Sequence, residues 1–476
     1  MTVSSSDFQN KRIMQSNFKN FILFCLFLIF SQLSFAEQAY IKLGDAKAKK
    51  SAMAFPFFNN LGAENTGASI AAASEVFAVA KKNLELSTYF SIVSNDAYLE
   101  DLTKKSLKPT PDDVTGFSFD PLKKIGAEFL IRAGYSIIGK DIIVEMYLYH
   151  VTENKLIIGK RYKASIEQAV PIGHTLSNDV IEALTGIRAP FMAKIVATFE
   201  DGTNGPKEVC KMNWDGSGFE QLSQHKSIAL SPSWGIDGKK ILYSVFTKLV
   251  KKTGTVSNVS LYTLDLQTNK RVLTSFRPGV NSGAVFAKDG KSIYLGMSLG
   301  TGSADIYKIN LQGDIELRLT KGPAGAINVE PSLSPDGSKI AFSSERGGRP
   351  MIYVMDADGT NVKRLTFKGI YNSSPSWSPD GKKIAFAGQN DTNFDIYVMD
   401  ADGSNIRKLT SAQKVSGKFA HNEDPSFSPD SRYVVYTSNR TGKNQIYIST
   451  IDGSEERRVT NDSKNYYRPK WSINLE

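Results

Sequence analysis

The chain has 476 residues, with 58 Lys and Arg against 48 Asp and Glu, a formal charge of +10. That basic excess is spread rather than gathered into a stripe interleaved with aromatics, which argues against a nucleic-acid partner. Two cysteines exclude a disulfide framework, and outside the N-terminus no apolar run is long enough for a transmembrane helix.

Residues 1–36 read as a secretory signal. Lys11, Arg12 and Lys19 form a basic n-region, 21–30 is a ten-residue apolar run, and Ser34-Phe35-Ala36 places small residues at −3 and −1 of a cleavage site before Glu37. Cys25 lies inside the apolar run, not after a lipobox, so no lipoprotein is expected. Cleavage leaves a secreted chain of charge +8 that does not span the membrane. It keeps one cysteine, Cys210, in a repeat slot where other copies carry Tyr353 and Tyr397, which assigns it to packing.

Residues 37–188 read as an α/β domain. An apolar strand is expected at 52–57 and a helix at 70–86, where Ile70, Ala73, Phe77, Ala80 and Leu84 recur at helical spacing. A strand at 90–93 follows, then a loop at 104–120, strands at 129–135, 141–150 and 155–162, and a helix at 173–184 stopped by Gly186. The linker 187–193 is short enough that this domain should touch the next.

From 189 onward the chain repeats. Its clearest copy opens with Pro375-Ser376-Trp377-Ser378-Pro379-Asp380-Gly381 and continues through Ile396–Met399 and Asp402-Gly403 to Leu409-Thr410. Ser-Pro-Asp-Gly supplies the residues a type I turn wants, and Asp-Gly supplies a second hairpin. The first turn recurs at Asp237, Asp289, Asp336, Asp380 and Asp430, a spacing of 44 to 52 residues. Four antiparallel strands per copy at that period predict an all-β six-bladed β-propeller, residues 189–476. The last copy stops after Pro469–Ser472 and the first lacks that strand, so the C-terminal strand should pair with the strand at Ile195 and close the ring.

No motif carries catalytic chemistry. There is no Gly-x-Ser-x-Gly elbow, and His150, His174, His225 and His421 show no metal-ligand spacing. Asp356-x-Asp358-Gly359 and Asp400-x-Asp402-Gly403 resemble the start of a calcium loop but sit where a hairpin turn is required. Neither a cofactor nor a metal is expected. The loops just before each Pro-Ser should converge on one mouth of the channel: Asn328, Val329 and Glu330; Asn372, Ser373 and Ser374; Asn422, Glu423 and Asp424. Loops on a rigid scaffold are where binding usually resides. The mature N-terminus, Glu37, Gln38, Ala39, Tyr40, Ile41, Lys42 and Leu43, reads as an edge strand or as a flexible arm that adds to a partner's sheet, with Tyr40, Ile41 and Leu43 as apolar anchors for either role.

The signal, the α/β domain, the segment His174–Ile187 and the six repeats together resemble the TolB family, periplasmic components of the Tol-Pal system of Gram-negative bacteria. The resemblance implies a non-enzymatic periplasmic adaptor. The mouth loops would receive the lipoprotein Pal, and the arm would engage the periplasmic part of TolA, in support of outer-membrane integrity, cell division and protein import. Peptidoglycan-associated outer-membrane proteins are further partners in such a reading. A secreted hydrolase accessory domain and a cell-wall-binding propeller are the rival readings.

Overall fold

A computed structural model describes residues 50–475 except 63–65, 111–115, 203, 252–253, 412 and 415. The signal at 1–36 and the arm at 37–43 lie outside the described residues. Among those described, no helix is long and apolar enough to cross a membrane.

The α/β region holds β1 (Ser51–Ala54), β2 (Asn59–Asn60), α1 (Gly67–Leu86), β3 (Phe90–Ile92), α2 (Phe119–Lys124), β4 (Phe129–Ile138), β5 (Asp141–His150), β6 (Lys155–Ser165) and α3 (Val170–Thr185). Its sheet runs β3-β1-β4-β5-β6, with β2 beside β4. β1 is parallel to β3 and β4, and β4, β5 and β6 form an antiparallel meander. The strand expected at 52–57 ends at Ala54, two residues before Pro56, which has no N–H to give a ladder. α1 starts at a capping box in which the Thr66 side chain accepts from Ser69 N–H at 3.2 Å and Ser69 Oγ accepts from Thr66 N–H at 3.1 Å. Its buried stripe is Ala72, Ala73, Val76, Ala80 and Leu84, and Ile70, expected inside, is exposed. α3 packs on α1 so closely that a Cβ at Gly173 would lie 2.8 Å from the Val76 carbonyl oxygen. It ends, as expected, at Gly186 with φ 74°. The loop expected at 104–120 gives way to α2 at Phe119, capped by Ser118.

The described residues beyond 190 form six four-stranded antiparallel sheets. Blade 1 joins Asn465–Asn474 to Ala193–Glu200, Lys207–Asn213 and Glu220–Gln221, with Trp471 opposite Ile195, so both ends close the ring. The inner strands of blades 2 to 6 are Ala229–Trp234, Asn281–Phe286, Asn328–Leu333, Tyr371–Trp377 and Asn422–Phe427.

The repeated residues hold this ring at three places. In the Ser-Pro-Asp-Gly turn, Gly381 N–H reaches Ser378 O at 2.9 Å and Gly381 takes φ 74°. There Asp380 Oδ1 accepts from Ser378 Oγ at 2.6 Å and from Lys382 N–H at 3.0 Å. The Thr closing four of the copies accepts from the third strand of its own blade: Thr320, Thr366, Thr410 and Thr460 take the N–H of Ile306, Ile352, Ile396 and Ile446, each at 2.9 Å. The Ser of each Pro-Ser reaches the next blade. Ser332, Ser376 and Ser426 accept from the N–H of Trp377, Phe427 and Trp471 at 3.0, 3.2 and 3.2 Å.

The α/β region lies against the end of blades 6 and 1 that carries the Ser-Pro-Asp-Gly and Asp-Gly turns. Tyr433 Oη donates to Ser87 O at 2.7 Å, the Arg432 guanidinium sits 4.1 Å from the Tyr89 ring centre, and Lys82 pairs with Asp215 at 2.7 Å. A single apolar core runs from Phe55 and Leu176 through Phe191 to Val435 and Trp471. The contact expected from the short linker is present. His174, 9% exposed, packs between the helices with Nδ1 2.9 Å from Asn83 Nδ2.

Candidate functional site: the channel and its mouth

Each inner strand carries one residue in the left-handed region at the same position, just before the Pro-Ser pair or its equivalent. These are Ser231, Gly283, Glu330, Ser374, Asp424 and Arg468, with φ 48°, 66°, 58°, 51°, 58° and 50°. A proline disfavours the right-handed helical region for the residue before it. Each inner strand answers with a bulge there, skipping two residues of register. Positive φ costs an L-residue roughly 1–2 kcal/mol, and only Gly283 escapes that cost. The bulge turns this side chain into the bore.

Five of the six positions carry side chains that meet across the channel. Arg468 Nη2 lies 3.1 Å from Glu330 Oε1, three blades away on the opposite wall, and its Nε is 3.7 Å from Asp424 Oδ1. Ser374 donates its N–H to Glu330 Oε2 at 2.7 Å, and its Oγ lies 3.2 Å from Asp424 Oδ1. Arg468 Nη1 donates to Ser231 Oγ at 3.1 Å. The acids around it hold the Arg468 guanidinium protonated well above its ordinary range. Around this cross-brace lies a cavity of about 190 Å³, walled in part by Trp234, Trp471 and the prolines of the inner strands.

The expected binding residues therefore do not sit on exposed loops before the inner strands. Asn328, Asn372 and Asn422 are buried structural residues. Asn328 Nδ2 donates to Asp305 Oδ1 at 3.0 Å, Asn422 Nδ2 to Asp395 Oδ1 at 3.0 Å, and Asn372 Nδ2 to Lys368 O at 2.9 Å. Val329 and Ser373 are half-buried members of the ladder, opposite Ser343 and Ala387. Glu330, Ser374 and Asp424 line the bore. The reason is the bulge: ladder pairing resumes on its far side, so these strands start three or four residues before their prolines instead of at them.

Glu423 is a different case. It is half-buried beside Asp424, and desolvation together with that neighbouring carboxylate pushes it up to about 7. Arg468, which pulls it the other way, is engaged with Glu330 and Asp424.

What the mouth does expose is apolar. Ile228, Val280, Ile327 and Tyr371 each precede an inner strand's first buried position or open the strand itself, and all are exposed. Phe246, Phe276, Phe367 and Phe419 stand on the same end of the blades, Phe367 at 71% and Phe419 at 53% exposure. Tyr371 meets Phe394 edge to face at 5.5 Å, and Phe394 lies 6.1 Å from His421. The signal for these was present: an apolar or aromatic residue stands directly before the repeated Asn in Val280-Asn281, Ile327-Asn328 and Tyr371-Asn372. Among the described residues no group of three or more His, Cys, Asp or Glu is arranged to hold a metal. The Asp356–Gly359 segment is a hairpin turn, in which Asp358 Oδ1 accepts from Thr360 N–H at 2.9 Å.

A family profile for the TolB beta propeller domain matches residues 181–416 and 371–476. The chain belongs to the TolB propeller family. It is 29% identical over 350 residues to the Tol-Pal system protein TolB of Desulfosudis oleivorans, covering 73% of this chain and 65% of that one. It is 30% identical over 229 residues to the TolB homolog of Chlorobium chlorochromatii, covering 48% and 49%. The chain thus spans between about half and two thirds of the length of these curated relatives. The crystal structure of TolB from Acinetobacter baumannii superposes with a TM-score of 0.73 at 24% identity over 90% of this chain and 97% of that one, a likeness of fold. The TolB architecture accounts for the six-bladed ring and the α/β region in front of it.

Proposed function

We propose that this chain is a non-enzymatic periplasmic adaptor of a Tol-Pal system, exported by its N-terminal signal and divided into an α/β domain at 37–188 and a propeller at 189–476. The observation that carries the reading is the apolar mouth. Exposed Ile, Val, Tyr and Phe side chains ring one end of the channel, on the face away from the α/β region, in a chain of the TolB family. Contiguous exposed apolar residues rimmed by polar ones mark protein interaction sites, and aromatic anchors dominate such sites energetically. The partner proposed for this face is the lipoprotein Pal. The arm at 37–43 is proposed to engage TolA, so that the chain links an inner-membrane motor to the outer membrane for envelope integrity, division and import.

The test is a calorimetric titration of the mature protein with the soluble periplasmic domain of Pal from the same cell. Saturable one-to-one binding is expected. Capture of the protein on purified peptidoglycan with no binding to Pal would replace this reading by a cell-wall-binding propeller.

A further inference from the structure

The residue just before each left-handed position is Leu230, Ser282, Val329, Ser373, Glu423 or Tyr467. All six are half-buried on the mouth side of the bulge. Blade 6 alone carries a carboxylate there, so the repeat does not require one. Tyr467, the other ionisable residue of the set, donates its hydroxyl to Glu200 at 2.9 Å. Glu423 has no such arrangement. Among the described residues no hydrogen bond and no ion pair holds its carboxyl, which meets only desolvation and unbonded charges.

The charged groups around it do not balance. Arg468 reaches Glu330 and Asp424 across the bore. Lys470, whose Nζ donates to Pro425 O at 3.3 Å, lies in the field of the same two carboxylates. Ionised Glu423 is the third carboxylate of the group and feels Asp424, Arg468 and Glu330. Two cations against three carboxylates leave one negative charge at the mouth. That charge stands beside aromatic rings. Burial first, and then Glu330, Glu345 and Glu423, raise the Tyr371 phenol while Arg468 lowers it, which places this exposed ring within reach of the cluster. Tyr371 packs edge to face on Phe394, and Phe394 lies 6.1 Å from the ring of His421, two residues before Glu423.

We infer that the mouth between blades 5 and 6 receives one Lys or Arg side chain of the docked partner, with the Glu423 carboxylate as its counter-ion and the Tyr371 ring beside it. This rests on the proposed docking of Pal at the mouth and names the chemistry of one contact. Aromatic faces attract cations more strongly as water leaves, and a charge-assisted hydrogen bond is roughly twice as strong as a neutral one. A cation from outside compensates the odd carboxylate. An apolar cap would instead take water from it and leave it unpaired. The two cases differ in sign. A bound cation favours ionised Glu423, so docking releases its proton and affinity rises as pH rises through 7; an apolar cap favours the protonated form, and affinity falls over the same range.

The experiment titrates the full mature protein with the soluble Pal domain at pH 5.5 and pH 8, as wild type, Glu423→Gln and Tyr371→Leu. The ratio of wild-type to Glu423→Gln affinity should grow from about one at pH 5.5 to about ten at pH 8. Any pH dependence that His421 or Pal itself contributes is common to both forms and cancels in that ratio. Tyr371→Leu keeps apolar area without a ring face and should bind more weakly than wild type at both pH values. Glu423→Gln should melt no lower than wild type at pH 8, so its lost affinity is not lost fold. In a series of Lys→Met and Arg→Met variants of the Pal domain, one member should lose affinity for wild type and lose none for Glu423→Gln. A ratio that stays at one or falls with pH, or a series in which no basic residue couples to Glu423, overturns the inference and leaves the docking reading standing. If wild type does not bind Pal at either pH, both fall.

Discussion

On the face that carries the Ser-Pro-Asp-Gly hairpins, polar groups are satisfied within each turn, and the α/β region covers blades 6 and 1 through Tyr433, Arg432 and Asp215. On the mouth face the same repeat leaves phenylalanines in water and a carboxyl without a committed partner at Glu423. Both faces hang on the same inner strands, so the difference is not one of scaffold stability. It separates residues selected for closing the fold from residues that the fold only presents. Substitutions on the two sides should therefore trade stability against binding in opposite proportions.

The largest effect is expected where the ring closes. Trp471, 7% exposed, sits opposite Ile195 and takes the Ser426 hydroxyl of the neighbouring blade on its N–H. It also belongs to the core shared with the α/β region, so Trp471→Ala should loosen both. Truncating a buried Trp costs about 3–5 kcal/mol, out of a typical stability of roughly 5–15 kcal/mol. A fall in Tm of more than 5 °C in a calorimetric scan is expected, and an unchanged scan would contradict closure by both ends.

A second, smaller effect should depend on pH and mark the mouth. Glu423 titrates near 7 in the folded protein, against about 4.3 for a free glutamate. The fold thus favours its protonated form. Its contribution is fully present below about pH 4.3 and is lost as pH rises through 7, above which the ionised side chain is a constant burden. Glu423→Gln removes that burden. The variant should match wild type near pH 4.5 and exceed it at pH 8 by something on the order of 2 kcal/mol. Denaturant titrations at the two pH values measure it, and a gap that does not widen with pH would show that Glu423 ionises as a surface residue does.

How much of this was legible in the sequence follows from what each residue answers to. Ser-Pro-Asp-Gly, Asp-Gly and the closing Thr are local rules, fixed within a few residues, and they predicted blades, turns and ring closure. The helix ending at Gly186 is of the same kind. The position of the mouth residues depends on the bulge before each proline, a feature of pairing between strands. A proline read locally as the start of a strand hid the three residues ahead of it, which is why Asn328, Asn372 and Asn422 were expected on loops and are buried. Ile70 was misplaced for a related reason: helical spacing fits several stripes, and packing of α3 at Gly173 chose the one through Ala72 and Val76. The short helix Phe119–Lys124 was lost in a stretch whose Pro and Lys content reads as loop.

The smallest change in stability should accompany the most informative change in function. Phe367 and Phe419 stand on connections into the inner strands of blades 5 and 6, largely in water. Removing either should alter stability by no more than ~0.5 kcal/mol, as for surface residues generally. If the mouth is the docking face, these rings become buried in the complex. Truncation of aromatic anchors near an interface centre costs about 2 kcal/mol or more, close to a thirtyfold loss of affinity. The matched control is Val272, exposed at 45% on the outer strand of blade 2 and away from the mouth. Val272→Ser should leave both melting and Pal binding where they were. Equal loss of binding from the control and from Phe367→Ala would mean that the partner wraps the propeller's flank, and the distinction between the two faces would lose its functional meaning.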